Sequence, residues 1–227
     1  MKSVVTTLAL LIWPGAARAN EPVLGVTEHL GDTVNLGDLE FRDEAGQSIA
    51  LASLFDKPVV LSLVFFRCHG ICSPLLTDLA SAADHSGLVP GRDFRMISVS
   101  FDPTDTPELA RLKQASLLQK MKTTQPASDA WRFLTGDPQS IKRLTQAVGF
   151  HYQRAEDGDG FNHPGVVTFL SKDAKIVRYL HGSTFNPLDV RMSVEDAAAG
   201  TPRSFIRQMT QMCFAYDPAG RTYVLAL

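Results

Sequence analysis

The chain has 227 residues, and its 22 lysines and arginines against 24 acidic residues give a formal net charge of −2 at pH 7. This mild acidic balance argues against nucleic acid or an anionic membrane surface as the main partner. The sequence holds only three cysteines, and two of them, Cys68 and Cys72, lie four positions apart. The pair therefore needs a chemical explanation.

The first 19 residues have the pattern of a cleaved secretory signal. Lys2 precedes an apolar run over residues 4–13, and a Pro-Gly break leads to "ARA" at residues 17–19, a typical cleavage pattern. The apolar run is shorter than the ~18 residues that span a bilayer. We expect a periplasmic or otherwise exported protein without a stable membrane span, or a membrane-associated one if the segment is retained. Cysteines in such an oxidising compartment tend to pair unless they carry redox or metal chemistry.

Residues 20–34 are polar and weakly patterned, which predicts an extended lead-in, and residues 35–227 are predicted to form one domain. The domain begins with "DLEFRDEAGQSIALASLF", which alternates polar and apolar residues around an Ala-Gly turn. This pattern predicts an N-terminal hairpin followed by a short helical turn over "LASLFD".

Strands then alternate with helices. The apolar run "PVVLSLVFF" predicts a strand buried on both faces. The following "SPLLTDLASAADHSGL" predicts a helix with Ser73 as N-cap and Pro74 in the first turn. Two more strand–helix units follow, "DFRMISVSFDP" with "TPELARLKQASLLQKM" and "WRFLTG" with "DPQSIKRLTQAVGF". The helix over "DPQSIKRLTQAVGF" has Asp137 as its N-cap and ends at Gly149.

The C-terminal third begins with a predicted loop, "AEDGDGFNHPG", and a strand pair, "VVTFLSKDAKIVRYLHG". The order of elements predicts an α/β fold, with a central parallel sheet that is flanked by helices and closed by an antiparallel hairpin. "NPLDVRMSVEDAAAG" predicts another helix, and residues 201–227 predict a C-terminal helical extension with a turn and a short extended tail. Cys213 recurs at helical spacing with Ile206 and Met209, which favours core packing.

Cys68 and Cys72 fall at the corner between the first buried strand and its helix. Cysteines at i and i+4 of a helix start can lie close enough to form a disulfide or to hold one ion. The helix dipole is expected to lower their thiol pKa. Two thiolates favour Cu(I), and an added imidazole makes Cu(II) acceptable. His163, just before a core strand, reaches the same edge if that strand is antiparallel, which makes it the candidate third ligand.

Simpler interpretations stay open for each of these residues. The cysteine pair could be a static disulfide, although so short a loop gives a small entropic gain. His163 could be a solvated loop residue. His69, between the cysteines, is expected at the surface rather than as a fourth ligand.

Four segments, "FFRCHGICSPLL", "VSFDPTDTPELA", "FNHPGVVTFL" and "CFAYDPAGRTY", resemble in order those of the Sco/SenC family of thioredoxin-like copper chaperones. The resemblance runs from about residue 35 to the end. It implies a thioredoxin-like central sheet and a copper ion, as Cu(I), Cu(II) or both. It also implies a role in assembling the copper site of cytochrome c oxidase, with the oxidase copper-site subunit as a partner and another copper chaperone as a second candidate.

By this resemblance, Cys68, Cys72 and His163 match the family's metal ligands. Asp102 matches an acidic position near the site, with an expected role in orienting the site or a docking partner rather than in ligation. The chain departs from the family pattern in two places. Ser73 separates the second cysteine from its proline, and Asn162 replaces an aspartate whose charge could tune Cu(II) affinity.

The sequence therefore favours an exported copper chaperone that delivers copper to an oxidase subunit or keeps its copper site reduced. The alternative is a thiol-disulfide oxidoreductase without copper delivery, in which Cys68 attacks a partner disulfide and Cys72 resolves the mixed disulfide. Whether the chain is an enzyme is left open by this choice. A peroxidase is disfavoured because "VFFR", ahead of Cys68, lacks the Pro and Thr/Ser expected before a peroxidatic cysteine.

Overall fold

The computed structural model describes residues 24–68, 70, 72–156, 160–203, 214–217 and 222–225. The predicted signal at residues 1–19, His69 and Cys213 lie outside this part of the chain, and their assignments stay predictions. Among the described helices, none combines the length and apolar content needed to cross a membrane.

The described strands and helices follow the predicted alternation. The strands are β1 Gly25–Val26, β2 Glu40–Arg42, β3 Ser48–Ala50, β4 Val59–Val64, β5 Arg95–Ser100, β6 Trp131–Leu134, β7 Phe150–His151, β8 Gln153–Arg154, β9 Phe161–Asn162, β10 Val166–Leu170, β11 Ile176–His181, β12 Phe214–Asp217 and β13 Thr222–Leu225. The α-helices are α1 Cys72–Asp84, α2 Pro107–Leu118, α3 Pro138–Ala147 and α4 Pro187–Ala199. Short 3-10 helices span Leu51–Leu54 and Ser128–Ala130.

A five-stranded sheet in the order β11-β10-β4-β5-β6 forms the centre of the fold. β4, β5 and β6 are parallel, whereas β10 and β11 are antiparallel. Every residue of β4 is buried, as its unbroken apolar run predicted for a strand covered on both faces. The helices cover this sheet: α2 packs on β6, α4 packs on β10 and β11, and α1 packs on α4. The predicted central sheet flanked by helices is confirmed.

Local side-chain chemistry begins three of the helices where the sequence placed them. Thr106, Asp137 and Asn186 accept backbone N–H hydrogen bonds at the starts of α2, α3 and α4, each with a proline in the first turn. The assignment of Ser73 as the N-cap of α1 was wrong, because the helix already begins at Cys72. The Ser73 hydroxyl instead donates to the Cys68 carbonyl oxygen over 3.5 Å.

Short strand pairs surround the sheet. The predicted N-terminal hairpin is β2 with β3, and half-buried Glu44 in its turn region accepts hydrogen bonds from the Arg132 guanidinium and the Phe133 amide. The extended lead-in contributes β1, which pairs with β7.

Two predictions need correction. The loop before β10 contains β9, paired with β8, and the predicted C-terminal tail pairs as β13 with a further strand, β12. The helix predicted ahead of them falls mostly at residues 204–213, outside the described part of the chain.

The end of α3 depends on a glycine. Gly149 has a φ of +65°, and a Cβ placed there would lie 1.8 Å from the Thr27 carbonyl oxygen. Thr27 belongs to the lead-in, and its amide donates to the Gly149 carbonyl oxygen over 2.8 Å. Gly149 therefore joins the helix stop to the packing of the lead-in.

Gly149→Ala is expected to lower the free energy of unfolding by about 3 kcal/mol or more, because the lead-in must shift in addition to the strain of a left-handed alanine. Gly200→Ala is the matched control. Gly200 has a φ of +62°, and no atom lies within 4 Å of its added Cβ. We expect it to cost about 1–2 kcal/mol. Urea unfolding of both variants measures the difference, and equal losses would contradict the close contact.

Candidate metal centre

The candidate metal centre lies at the carboxyl end of β4, where the chain turns into α1. Cys68 follows the strand and its amide donates to the Phe65 carbonyl over 3.2 Å, while Cys72 is the first residue of α1. β10 runs antiparallel to β4, with Val167 opposite Ser62. The segment just before β10 therefore reaches the same end of β4, as the sequence analysis predicted for His163.

Three ligand atoms meet at this corner. The two cysteine Sγ atoms and an imidazole nitrogen of His163 all lie within 4.8 Å of one another. Cys72 Sγ lies 3.0 Å from His163 Nε2. Both cysteines are free thiols in the structure. The three residues could therefore hold one metal ion, and the reduced pair is also near enough to form a disulfide after a small shift.

The histidine is in the protonation state that a ligand needs. His163 Nδ1 lies 3.0 Å from the Pro164 carbonyl oxygen, which can only accept, so Nδ1 carries the proton. Burial lowers the pKa of His163 below its usual range, so the ring is neutral at pH 7. Nε2 is then the unprotonated nitrogen that faces Cys72. The peptide bond before Pro164 is trans.

The two thiols differ in exposure. Cys72 is fully buried, whereas Cys68 is 9% exposed and its Sγ accepts a 3.3 Å hydrogen bond from the Gly70 amide. Burial raises the pKa of the Cys72 thiol far above its usual range, and the neighbouring Cys68 adds to the rise. The expectation that the helix start lowers the thiol pKa is therefore wrong for Cys72, because desolvation is the larger effect. A metal that binds here must displace this proton.

Aromatic rings enclose the histidine. The ring centroids of Phe101, Phe65 and Phe150 lie 5.2, 5.9 and 6.2 Å from that of His163. Tyr152 packs on Phe101, with centroids 4.4 Å apart. These residues come from separate segments of the chain, and sequence reasoning did not identify them. They limit the access of water to the histidine side of the site.

A buried carboxylate fixes the approach to Cys68. Asp105 accepts hydrogen bonds of 2.6 Å from the Phe66 amide and from Ser100 Oγ, and its other oxygen accepts from Arg67 Nε at 3.0 Å. The Asp105 side chain has no solvent exposure. The two residues before Cys68 are thus held to the loop that follows β5.

Asp102, the acidic residue singled out from the sequence, is connected to the segment before Cys68 through Arg67. Its carboxylate accepts from Arg67 at 3.2 Å and from the Thr104 amide at 2.9 Å. Among the described residues, no hydrogen bond joins Asp102 to Cys68, Cys72 or His163. Asp105 in the same "FDPTD" segment was missed, and only its position just before the Thr-Pro helix start could have drawn attention to it.

Comparison with known proteins gives a consistent result. The family model described as SCO1/SenC matches residues 28–199. The SCO1 protein homolog of Bacillus subtilis (strain 168) is 29% identical over 155 residues, which cover 66% of this chain and 75% of that protein.

Solved structures show the same fold. A crystal structure of a candidate electron transfer protein from Aquifex aeolicus VF5 is 28% identical, with a TM-score of 0.66 over 75% of this chain and 95% of that one. Copper-bound ScoI of Arabidopsis thaliana is 22% identical, with a TM-score of 0.58 over 79% of this chain and 99% of that one. The thioredoxin-like architecture expected from the sequence is confirmed.

Asp105→Asn is expected to destabilise the reduced protein by about 2–4 kcal/mol, because an amide cannot accept from all three donors in a site without water. Asp102→Asn is the control, since it removes the charge from the more exposed carboxylate. We expect the control to cost less than half as much in chemical denaturation. If Asp102→Asn lowered the free energy of unfolding more than Asp105→Asn does, the greater structural role assigned to Asp105 would be contradicted.

Alkylation should separate the two cysteines. In a short pulse of iodoacetamide on the folded, reduced protein, we expect Cys68 to be modified at least about tenfold faster than Cys72, because Cys72 is buried and its thiol pKa is raised. Peptide mass spectrometry gives the ratio, and denatured protein provides the reference in which both react alike. Equal rates in the folded protein would show that the corner opens far more than the structure indicates.

Proposed function

Because the chain belongs to the SCO1/SenC family, we propose that it is an exported copper-binding chaperone for the copper site of a respiratory oxidase subunit. Cys68, Cys72 and His163 are its copper ligands in this proposal. The observation that carries it is the convergence of two thiols and a neutral imidazole within 4.8 Å. Soft sulfur ligands suit Cu(I), and the imidazole extends the set to Cu(II).

The difference between the cysteines supports delivery as well as binding. Cys72 is the fully buried ligand, whereas Cys68 is 9% exposed and His163 is half-buried. A ligand of the recipient subunit can therefore approach the ion from the side of Cys68 and His163, and Cys72 is the last ligand to release it. The thiol protons released on uptake return to the cysteines as copper departs, so transfer balances charge and protons.

The same corner supports a second function, thiol-disulfide exchange. The Cys68 thiolate would attack a disulfide of the partner, forming a mixed disulfide and releasing one partner thiolate. Cys72 would then attack Cys68 Sγ, closing the Cys68–Cys72 disulfide and releasing the reduced partner. The greater exposure of Cys68 favours it as the attacking residue. This chemistry would keep the recipient's copper-binding cysteines reduced without needing His163.

Copper competition tests the proposal. We expect the reduced protein, without its first 19 residues, to bind one equivalent of Cu(I) tightly against a chelator. Cys68→Ala/Cys72→Ala should abolish tight binding, and His163→Ala should weaken it by about tenfold or more. His85→Ala is the control, because His85 is an exposed residue bound to the Ser81 carbonyl and should leave the affinity unchanged.

The same variants separate the two functions. Reduction of a partner disulfide should survive His163→Ala if exchange is the principal activity, whereas copper delivery should fail. Copper binding that is absent, or indifferent to His163, would contradict the chaperone proposal and leave thiol-disulfide exchange as the better account.

A further inference from the structure

Lys113 lies beside the two cysteines without belonging to the proposed ligand set. From α2, its Nζ donates a 3.1 Å hydrogen bond to Ser73 Oγ. The Ser73 hydroxyl in turn donates to the Cys68 carbonyl oxygen. Ser73 also directly follows Cys72 in α1. One hydroxyl group therefore connects a lysine ammonium to the backbone of both cysteines.

The charge of Lys113 is not offset by a neighbouring acid. Within the part of the chain that the structure describes, no carboxylate forms an ion pair with it. The helix neighbours at three and four residues' distance carry no carboxylate: Leu109, Ala110, Ser116 and Leu117. The lysine also acts on the site electrostatically, since its charge lowers the pKa of Cys72 against the larger rise caused by burial.

Arg67 also lies close to the corner in sequence, but its charge is offset. Its guanidinium pairs with Asp105 at 3.0 Å and with Asp102 at 3.2 Å. Two carboxylates therefore more than offset the charge of the one guanidinium. Lys113, unlike Arg67, forms no ion pair among the described residues, so its positive charge stays available to the site.

The two copper oxidation states respond differently to such a charge. Two thiolates, a neutral imidazole and Cu(I) carry a net charge of −1, whereas the same ligands with Cu(II) carry none. A fixed cation nearby stabilises the anionic complex and has little net effect on the neutral one. The effect is larger in a buried site than in water, because fewer solvent dipoles screen it.

We propose that Lys113 sets the preferred copper oxidation state of the site, favouring Cu(I) over Cu(II), and that Ser73 positions its ammonium group. This inference rests on the proposed function, because it takes Cys68, Cys72 and His163 as copper ligands. It also gives a role to Ser73, the residue inserted between the second cysteine and its proline.

The experiment compares Lys113→Met with Lys113→Arg and with a matched control, Lys120→Met. Lys120 donates a 3.0 Å hydrogen bond to Thr77 Oγ1, so it makes the same kind of contact to α1 one helical turn beyond Ser73. Each purified protein is titrated with Cu(I) and with Cu(II) against chelators selective for each ion. The Cu(II)/Cu(I) reduction potential of the loaded site is measured in parallel, and the unfolding free energy of the metal-free reduced proteins checks their folds.

We expect Lys113→Met to weaken Cu(I) binding by about threefold to tenfold and Cu(II) binding by less than about twofold. The copper reduction potential should fall, by about 59 mV for a full tenfold change in the affinity ratio. Lys113→Arg should restore most of the wild-type ratio, and Lys120→Met should match wild type. Ser73→Ala, which keeps the charge but frees it, should produce a smaller fall. High salt should narrow the difference between wild type and Lys113→Met.

Three results would overturn the inference. An unchanged affinity ratio in Lys113→Met, with wild type binding copper as expected, would overturn it while leaving the proposed function intact. Equal weakening of both ions would show that the lysine only supports the local structure. A wild-type protein that binds neither ion would overturn the proposed function and this inference together.

Discussion

The antiparallel pairing of β10 with β4 is the constraint on which the candidate metal centre depends. In this register Val167 lies opposite Ser62, so the residues before β10 reach the end of β4, where α1 begins. His163 and Cys72 are 91 residues apart in sequence, yet their ligand atoms lie 3.0 Å apart. A shift of one residue would reverse the faces of β10 and remove its core packing. The packing of the sheet therefore fixes the geometry of the ligands.

Burial then decides the chemistry of those ligands. It keeps His163 neutral and Cys72 protonated, and it surrounds the imidazole with the rings of Phe65, Phe101 and Phe150. Burial disfavours the Cys72 thiolate, so ionisation of Cys72 is coupled to the arrival of a metal ion or a reaction partner. The helix dipole, which the sequence suggested would activate the pair, is the weaker influence at this residue.

Most of the fold could be predicted from local sequence patterns. The buried run of β4, the Thr-Pro start of α2 and the Asp137 cap of α3 each depend on residues close together in sequence, and each was predicted correctly. The start of α1 was misplaced because the Ser73 hydroxyl contacts the Cys68 carbonyl rather than a helix amide. The β12–β13 pairing was missed because the spacing of Ile206, Met209 and Cys213 favoured a helix up to the start of β12.

The residues of the candidate site also differ in whether local sequence patterns could predict them. The cysteine spacing indicated soft-metal or redox chemistry, and the predicted strand order together with the resemblance indicated His163, whereas the supporting residues depend on tertiary contacts. Asp105 reaches back to Phe66 and Arg67 across about 40 positions, and Lys113 reaches Ser73 across a similar distance. No spacing rule brings such residues together.

These two distant contacts have opposite electrical consequences. The carboxylate of Asp105, with that of Asp102, offsets the positive charge of Arg67, so this flank orders the backbone before Cys68 without adding positive charge to the site. Lys113, on the other flank, donates to the neutral Ser73 hydroxyl and forms no ion pair within the described part of the chain. The two basic residues therefore have different roles: Arg67 is ion-paired, whereas the charge of Lys113 is not offset. One flank fixes the backbone ahead of Cys68, and the other places a positive charge beside the proposed copper ligands.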